Sequence, residues 1–294
     1  MARGYKPGGA NGSPCLKDIN GSANSDCPQV VPRTFLPETN TAYEIGSKNQ
    51  FFDRTLTLNV ALYYYDHYNF QYIEQDPIPF DDGMSNIPHV RDYGAEFEGH
   101  YRSPDGHFHA NGSLALEKGE VVGKYLTIDS TLSNKFEGPN YTGNNELATF
   151  GPCAFSGAYY NPGCWAQVEA SAINIQGKSP PAMPNVSGAI DASYDFDTDV
   201  GTFTPWLQVV YRGQEWARIF NEPSLDNVPA YTTLNLNIAF IPNWDKRWKL
   251  SLAATNVTNV AGINSKYTDP YGTAQTSIQY IAPMQVMGTI AFTY

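Results

Sequence analysis

The sequence has 294 residues, of which 16% are charged and 14% aromatic, and its formal net charge is −11. An acidic chain lacks the basic surface that nucleic-acid binding requires, which excludes a nucleic-acid partner. The mean hydropathy is −0.39, and no stretch approaches the roughly 20 apolar residues of a transmembrane helix.

Apolar and polar residues alternate with a period of two in many successive segments. Along 56–64, for example, every second residue is apolar or aromatic, and mostly polar residues lie between them. The same alternation recurs at 93–101, 108–116, 186–196, 203–211, 234–240, 248–252 and 284–294. No comparable helical periodicity occurs. The sequence therefore predicts an all-β chain, an antiparallel meander of about ten strands.

Short and long connections alternate between these segments. The short ones are rich in turn residues and lie at 52–54, 103–106, 197–201 and 242–247. The long, irregular ones lie near 9–41, 71–90, 118–183, 212–230 and 259–283. Transmembrane β-barrels have short periplasmic turns and long extracellular loops. With the last strand ending on the periplasmic side at Tyr294, we predict that the long segments are extracellular.

Four cysteines occur as two pairs that are close in sequence, Cys15 with Cys27 and Cys153 with Cys164. Neither pair has the spacing of a metal site. Both pairs fall in segments that are predicted to be extracellular, where an oxidising environment allows disulfides to persist. We therefore predict two loop disulfides, with unpaired thiols as the alternative.

Candidate ligand-binding residues are the aromatic residues of segment 118–183, which surround the second cysteine pair. They are Tyr141, Phe150, Tyr159, Tyr160 and Trp165. Aromatic rings on a loop suit stacking against a siderophore, a sugar or another bulky ligand. They suit packing within the loop equally well.

The sequence predicts no catalytic residue, cofactor or metal site. Glu96 and Glu98 share a strand face, as the carboxylates of a glycosidase could, but alternate residues of a strand more often line a polar lumen. His107 and His109 also share a face, and no third metal ligand is evident beside them. We therefore do not expect an enzyme.

Several motifs resemble the C-terminal half of TonB-dependent outer-membrane receptors, and they occur in the order found in that family. They are the strand end at 3–9, Pro37-Glu38 followed by 43–48, the strand at 93–98, Pro184 where a strand resumes, 256–259, and the terminal residues Phe292 and Tyr294. Val257 and Thr258 stand where Leu and Phe are commoner in the family. The resemblance implies that Phe292 and Tyr294 form the signal that barrel-assembly machinery reads.

The resemblance also implies a location and a function. It implies a part of a transmembrane barrel of about 22 strands in the outer membrane of a Gram-negative cell. The function would be TonB-dependent uptake of a scarce ligand such as an iron–siderophore. The implied partners are outer-membrane lipid, the barrel-assembly machinery and, in the full-length receptor, the TonB complex and an iron chelate, cobalamin or a glycan.

We expect the chain to be a C-terminal fragment of such a receptor, without the plug domain and the TonB box. Two alternatives stay open. One is a small self-contained barrel that acts as a pore or an adhesin, and the other is a soluble β-sandwich that binds carbohydrate.

Overall fold

The computed structural model describes residues 1–12, 32, 34–75, 82–129, 131, 172–268 and 275–294. The secondary structure of these residues consists almost entirely of strands and turns. No helix in the described ranges is long and apolar enough to cross a membrane.

The strands are numbered in chain order. They are β1 (Ala2–Lys6), β2 (Gly9–Ala10), β3 (Thr34–Phe35), β4 (Glu38–Phe51), β5 (Leu56–Gln75), β6 (Asp82–Arg102), β7 (Phe108–Val121), β8 (Leu126–Thr127), β9 (Ile173–Asn174), β10 (Val186–Tyr194), β11 (Phe196–Thr198), β12 (Gly201–Arg212), β13 (Glu215–Trp216), β14 (Asn227–Val228), β15 (Tyr231–Pro242), β16 (Trp248–Thr255), β17 (Ile263–Thr268), β18 (Thr276–Tyr280) and β19 (Gln285–Phe292).

One large antiparallel sheet contains most of the described chain. Its strands follow one another in the order β1-β4-β5-β6-β7-β10-β12-β15-β16-β19, and the short β11 pairs with β12. The remaining strands form the small two-stranded ribbons β2/β3, β8/β9, β13/β14 and β17/β18. The prediction of an all-β antiparallel meander of about ten strands is therefore confirmed.

The two ends of this sheet differ. At one end, the short-turn end, consecutive strands are joined by tight turns around 52–55, 103–107, 199–200 and 243–247, as predicted. In the first of these turns Phe52, Asp53 and Arg54 all have positive φ angles, of 51°, 52° and 70°. At the other end, the long-segment end, the connections are longer and include the four small ribbons.

The prediction of an irregular segment at 71–90 is wrong for the residues that the structure describes there. β5 continues to Gln75 and β6 begins at Asp82, and the two strands stay paired almost throughout. Pairing is interrupted only at Asn69 and Pro88, where Asn69 has a φ of 53° and Pro88 has no N–H to donate. The alternation is lost here because neighbouring segments bury several polar side chains of this hairpin, including Gln71, Glu74 and Ser85.

The register gives the sheet one apolar and one polar face. Residues that lie directly opposite one another on neighbouring strands point to the same face. One apolar row of such residues runs Phe51, Leu56, Tyr101, Ala110, Ala192, Leu207, Leu236, Ala254, Val286. The adjacent row on the polar face runs Gln50, Thr57, His100, Asn111, Asp191, Gln208, Asn235.

Neither alternative architecture agrees with the described residues. A β-sandwich would bury the apolar face under a second sheet, yet Ile190, Leu252 and Ile290 are 60%, 54% and 71% exposed. A small closed barrel would pair its first strand with its last, whereas β1 pairs with β4 and β19 with β16. Within the described ranges, the hydrophobic core cluster lies at the long-segment end, where the ends of β6 and β7 are covered by other segments.

Candidate functional site

The polar face of β4–β7 carries carboxylates near its middle. Lys48, Asn59 and Glu98 lie opposite one another in the register, and Asn59 Nδ2 donates to Glu98 Oε2 at 3.3 Å. These residues, together with Glu44 and Glu96, line a concavity of 370 Å³. Glu96 and Glu98 therefore lie on a polar wall, as the alternation predicts.

Towards the long-segment end, His67 joins three strands of this face. Its Nδ1 lies 3.3 Å from Glu38 Oε1 on β4, and its Nε2 lies 3.2 Å from Asp92 Oδ2 on β6. The other carboxylate oxygen of Glu38 accepts a hydrogen bond from the backbone N–H of Gln71 at 2.9 Å. The glutamate of the Pro37-Glu38 motif thus links β4 to the part of β5 that lies at the long-segment end.

A compact cap lies at the long-segment end. The buried residues of its hydrophobic cluster come from β6, β7 and the segments that follow β9 and β13. They are Ile87, Val90, Val121, Ile175, Ile219 and Phe220. The ends of β5 and β6 at the long-segment end therefore pack against segments that are distant in sequence, which fixes the position of those segments.

Three charged residues form a buried cluster in this cap, which we call the Arg218 clamp: Arg218, Asp129 and Asp226. Arg218 Nε donates to Asp226 Oδ1 at 2.6 Å, and its Nη1 donates to Asp129 Oδ1 at 2.7 Å and to Thr131 Oγ1 at 3.1 Å. The side chains of Asp129 and Asp226 are 1% and 0% exposed. Burial raises the pKa of Asp226, and hydrogen bonds from Glu222 N–H and Arg218 oppose that shift.

A second buried polar group lies beside the clamp. Glu74 on β5 accepts hydrogen bonds from Ser85 Oγ on β6 at 2.7 Å and from Thr127 Oγ1 on β8 at 2.6 Å. All three side chains are buried. A buried carboxylate is stable only when such donors satisfy it, so Glu74 links the small ribbon β8/β9 to the long hairpin.

The 256–259 motif holds the last strands together. Asn256 is buried with a φ of 48°, and its Nδ2 donates to the carbonyl oxygens of Val260 and Ala282 at 2.9 and 3.0 Å. Its Oδ1 accepts from Val260 N–H at 2.9 Å. Asn259 Oδ1 accepts from Met284 N–H at 3.0 Å. The motif therefore fastens the end of β16 to the chain that enters β19.

The predicted site residues fall into two groups. Phe292 lies on β19, where its ring packs against Trp248 at 4.9 Å and lies 5.1 Å from the Arg247 guanidinium. Tyr294 is fully exposed and contacts Phe292 edge-on at 5.7 Å. The predicted disulfide and ligand-binding residues lie outside the described residues. They are Cys15, Cys27, Cys153, Cys164, Tyr141, Phe150, Tyr159, Tyr160 and Trp165.

His107 and His109 each face a carboxylate of the neighbouring hairpin. His107 Nδ1 lies 3.9 Å from Asp197 Oδ2, and His109 Nε2 lies 3.8 Å from Asp195 Oδ2. In the part of the chain that the structure describes, no group of three or more His, Cys, Asp or Glu side chains could hold a metal ion.

The sequence does not reveal the Arg218 clamp. A charged residue next to the apolar Ala217, Ile219 and Phe220 is the one local signal, because a charge in such surroundings is normally paired. Its partner Asp129 is 89 positions away. No periodicity relates two residues so far apart.

The comparison with protein families decides the class of the chain. Residues 2–259 match the model described as TonB dependent receptor-like, beta-barrel. The chain belongs to this family. The family consists of receptors and transporters rather than enzymes, and the resemblance inferred from the motifs is confirmed. A comparison with curated proteins gave no match.

Solved structures of siderophore and other ferric-ligand uptake receptors contain the same fold over about a third of their length. The ferric yersiniabactin uptake receptor FyuA from Yersinia pestis is 17% identical with a TM-score of 0.63, over 100% of this chain and 34% of that one. The siderophore receptor PiuA from Acinetobacter baumannii is 15% identical with a TM-score of 0.60, over 99% and 33%. The ferric-catecholate import receptor Fiu from E. coli K12 is 15% identical with a TM-score of 0.55, over 96% and 30%. The chain thus spans about a third of the length of these receptors.

Proposed function

We propose that the chain forms part of the wall of an outer-membrane receptor that takes up a scarce ligand, such as an iron–siderophore complex, with energy delivered through TonB. The main support is a continuous sheet with one apolar and one polar face in a chain of this family. An apolar row that crosses nine strands suits contact with lipid acyl chains, and the polar row beside it suits a lumen.

The strand lengths support the same placement. β12 and β15 have 12 residues each, slightly more than the roughly 9–11 that cross a bilayer when tilted. β5 and β6 have 20 and 21 residues, which at about 3.3–3.4 Å per residue is far more than a bilayer needs. We infer that their paired ends, with the cap that packs on them, project outside the cell.

An uptake assay tests the proposed function. The intact protein, meaning the receptor whose wall this chain is proposed to help form, would be produced in a Gram-negative strain that lacks its own siderophore receptors. Radiolabelled iron would be offered on a catecholate, a hydroxamate and a phenolate siderophore. Labelled cobalamin and a labelled oligosaccharide would be assayed in parallel. We expect accumulation of one of these ligands, and loss of that accumulation in a matched strain without TonB.

Two results would contradict the proposal. Accumulation of many small solutes without regard to their chemistry, and independently of TonB, would indicate a passive pore. Failure to accumulate any of the ligands in either strain, with the protein assembled in the outer membrane, would indicate a different function.

The role of Tyr294 as an assembly signal gives a further prediction. Because its side chain is fully exposed and contacts only the ring of Phe292 among the described rings, Tyr294→Ala should leave the stability of the assembled protein unchanged. We expect it to lower the amount of heat-modifiable, assembled protein in the outer membrane severalfold. Phe292→Ala should lower both assembly and stability, because it also removes packing on Trp248.

Tyr280→Ala is the matched control for this prediction. Tyr280 is 56% exposed and lies on β18 at the long-segment end, away from the chain terminus. An equal fall in assembled protein for Tyr280→Ala and Tyr294→Ala would show that the terminal position of the aromatic ring is irrelevant.

A further inference from the structure

The Arg218 clamp lies at the base of the longest connection in the cap. β8 pairs with β9, Leu126 opposite Asn174 and Thr127 opposite Ile173, so the two chain segments on either side of 132–171 leave the cap side by side. Asp129 and Thr131 follow β8 directly. We call 124–129 with Thr131 the first stem and 172–178 the second stem.

The first stem is held on two sides by polar contacts of different kinds. On one side Glu74 of β5 accepts from Thr127 Oγ1, which ties the first stem to the sheet. On the other side Arg218 donates to Asp129 and Thr131, which ties the same stem to the segment 213–228. Hydrophobic packing also joins the first stem to β5 and to the segment 213–228. Because it has no preferred direction, it does not by itself fix one relative position of these segments.

Arg218 is suited to fix such a position because its guanidinium is planar and its donors point in set directions. Its Nη1 and Nη2 donate to the two oxygens of Asp129 at 2.7 and 3.3 Å, and its Nε donates to Asp226 at 2.6 Å. Its Cζ also lies 5.1 Å from the centre of the Phe220 ring. A small shift of either segment would break a bond between buried charges.

Buried ion pairs contribute little net stability, because desolvation offsets much of their attraction, and their best-attested role is to specify one arrangement. Asp226 in turn accepts from the backbone N–H of Glu222 at 2.8 Å, and Ala217 N–H donates to the Asp226 carbonyl oxygen at 2.8 Å. The clamp thus connects the first stem to the segment 217–226, which is stabilised by its own hydrogen bonds.

We propose that Arg218 is a positioning residue for ligand capture. It holds the first stem, and through the β8/β9 pairing the second, against 213–228 in the arrangement that a ligand meets before it reaches the polar wall. This rests on the proposed function, because it takes the long-segment end to be the side from which ligand enters. Arg218 acts through Asp129, Thr131 and Asp226, and no contact between Arg218 and ligand is needed.

Hydrogen–deuterium exchange of the intact protein, without any ligand, tests the structural half of the proposal. Arg218→Met keeps much of the side-chain volume and leaves two buried carboxylates without their cation. We expect amides of 124–131 and 217–228 to exchange about a hundredfold faster, because an uncompensated buried charge favours local opening. Amides of β15 and β16 should be unaffected. Unchanged protection in both cap segments would overturn the proposal.

Arg247→Met is the matched control, because Arg247 also pairs with an aspartate, Asp245 at 2.8 Å, but is 62% exposed in a short turn. It should leave exchange in the cap unchanged. If Arg218→Met does not assemble, Asp129→Asn replaces it. Asp129→Asn keeps the side-chain shape and should speed exchange in the same segments less strongly, and unchanged protection there would overturn the proposal equally.

The uptake assay tests the functional half, with the radiolabelled siderophore that the intact protein accumulates best. For Arg218→Met we expect the apparent KM to rise severalfold with little change in maximal rate, because the wall and the energy supply are intact. Arg218→Lys should restore part of the affinity, since an ammonium can pair with one of the two aspartates. A fall in the maximal rate of uptake at unchanged KM would overturn the proposal that Arg218 positions the stems for ligand capture.

The exchange experiment and the uptake assay can fail independently of each other. If the intact protein accumulates none of the probes, the proposed function fails, and the exchange experiment still decides whether Arg218 fixes the stems. If uptake is present and exchange responds but KM does not, the clamp is a structural device without a role in capture.

Discussion

Replacing Gly94 by alanine should destabilise the protein by about 1–3 kcal/mol, the usual cost of adding atoms to a closely packed position. Gly94 lies between Tyr63 on β5 and Glu117 on β7 in the register. A Cβ at Gly94 would lie 2.5 Å from the Tyr63 hydroxyl oxygen and 2.3 Å from the backbone carbonyl oxygen of Leu116. The side chain could move, but the backbone oxygen could move only with its strand.

The Tyr63 ring explains why this position is narrow. Its side chain passes over the Gly94 backbone, so the hydroxyl group lies on the way to Glu117 of the next strand, with which it interacts electrostatically. The ring is also stacked on that of Tyr65, with centroids 5.1 Å apart. An alanine at position 94 would therefore disturb a polar and aromatic contact on the polar face as well as the β6–β7 pairing.

Gly99→Ala on the same strand is the control for Gly94→Ala. A Cβ at Gly99 would meet only Leu58 Cδ2, at 3.4 Å, which is an ordinary contact. Its free energy of unfolding should stay within about 1 kcal/mol of the parent, on the stabilising side, because alanine restricts the unfolded chain. Urea unfolding followed by tryptophan fluorescence measures both values. Equal losses for the two variants would show that the close contact at Gly94 is unimportant.

The wall could be predicted from the sequence because its signals are local. On a strand with one apolar and one polar face, each residue shows which face it occupies, as Leu56, Leu58 and Val60 do on β5. The neighbours of each strand could be predicted as well, since turns as short as 103–107 leave one partner within reach. The pairing within each of these hairpins therefore followed from local segments, whereas β7 and β10 pair across the long connection 122–185.

The cap could not be predicted in this way. Near the long-segment end, a residue such as Gln71 or Ser85 is buried by whichever segment covers it, and that segment is remote in the chain. Glu74 and Thr127 are 53 positions apart, and Arg218 and Asp129 are 89 apart. Contacts of this range leave no periodic trace, so the same alternation rule that identified the wall misassigned 71–90.

The family motifs differ from both the alternation and the cap contacts. They contain residues whose physical role can be understood only from the three-dimensional structure. Glu38 accepts from the backbone of β5, and Asn256 satisfies backbone groups on two sides of a tight bend. Neither residue is needed for the alternation. A glutamate or asparagine of a family motif can thus stabilise the fold through hydrogen bonds to the backbone instead of contacting a ligand.

Asn256→Ala should lower the free energy of unfolding by about 3–5 kcal/mol. The variant loses three side-chain hydrogen bonds at a buried site, and each unmatched backbone group costs about 1 kcal/mol or more. Asn256 also has a φ of 48°, a conformation that asparagine tolerates better than alanine, by about 1 kcal/mol. Because the lost partners belong to Val260 and Ala282, the connection from β16 to β19 should loosen first.

Two further variants separate the causes. Asn256→Gly removes the same hydrogen bonds but accepts the positive φ, so its smaller loss relative to Asn256→Ala measures the backbone cost. Asn259→Ala changes a residue of the same motif with a φ of 50°, which is exposed and makes one bond, to Met284 N–H. It should cost about 1–2 kcal/mol, for one exposed bond and the same backbone preference. If Asn259→Ala costs as much as Asn256→Ala in urea unfolding, the buried network at Asn256 does not hold the last strands.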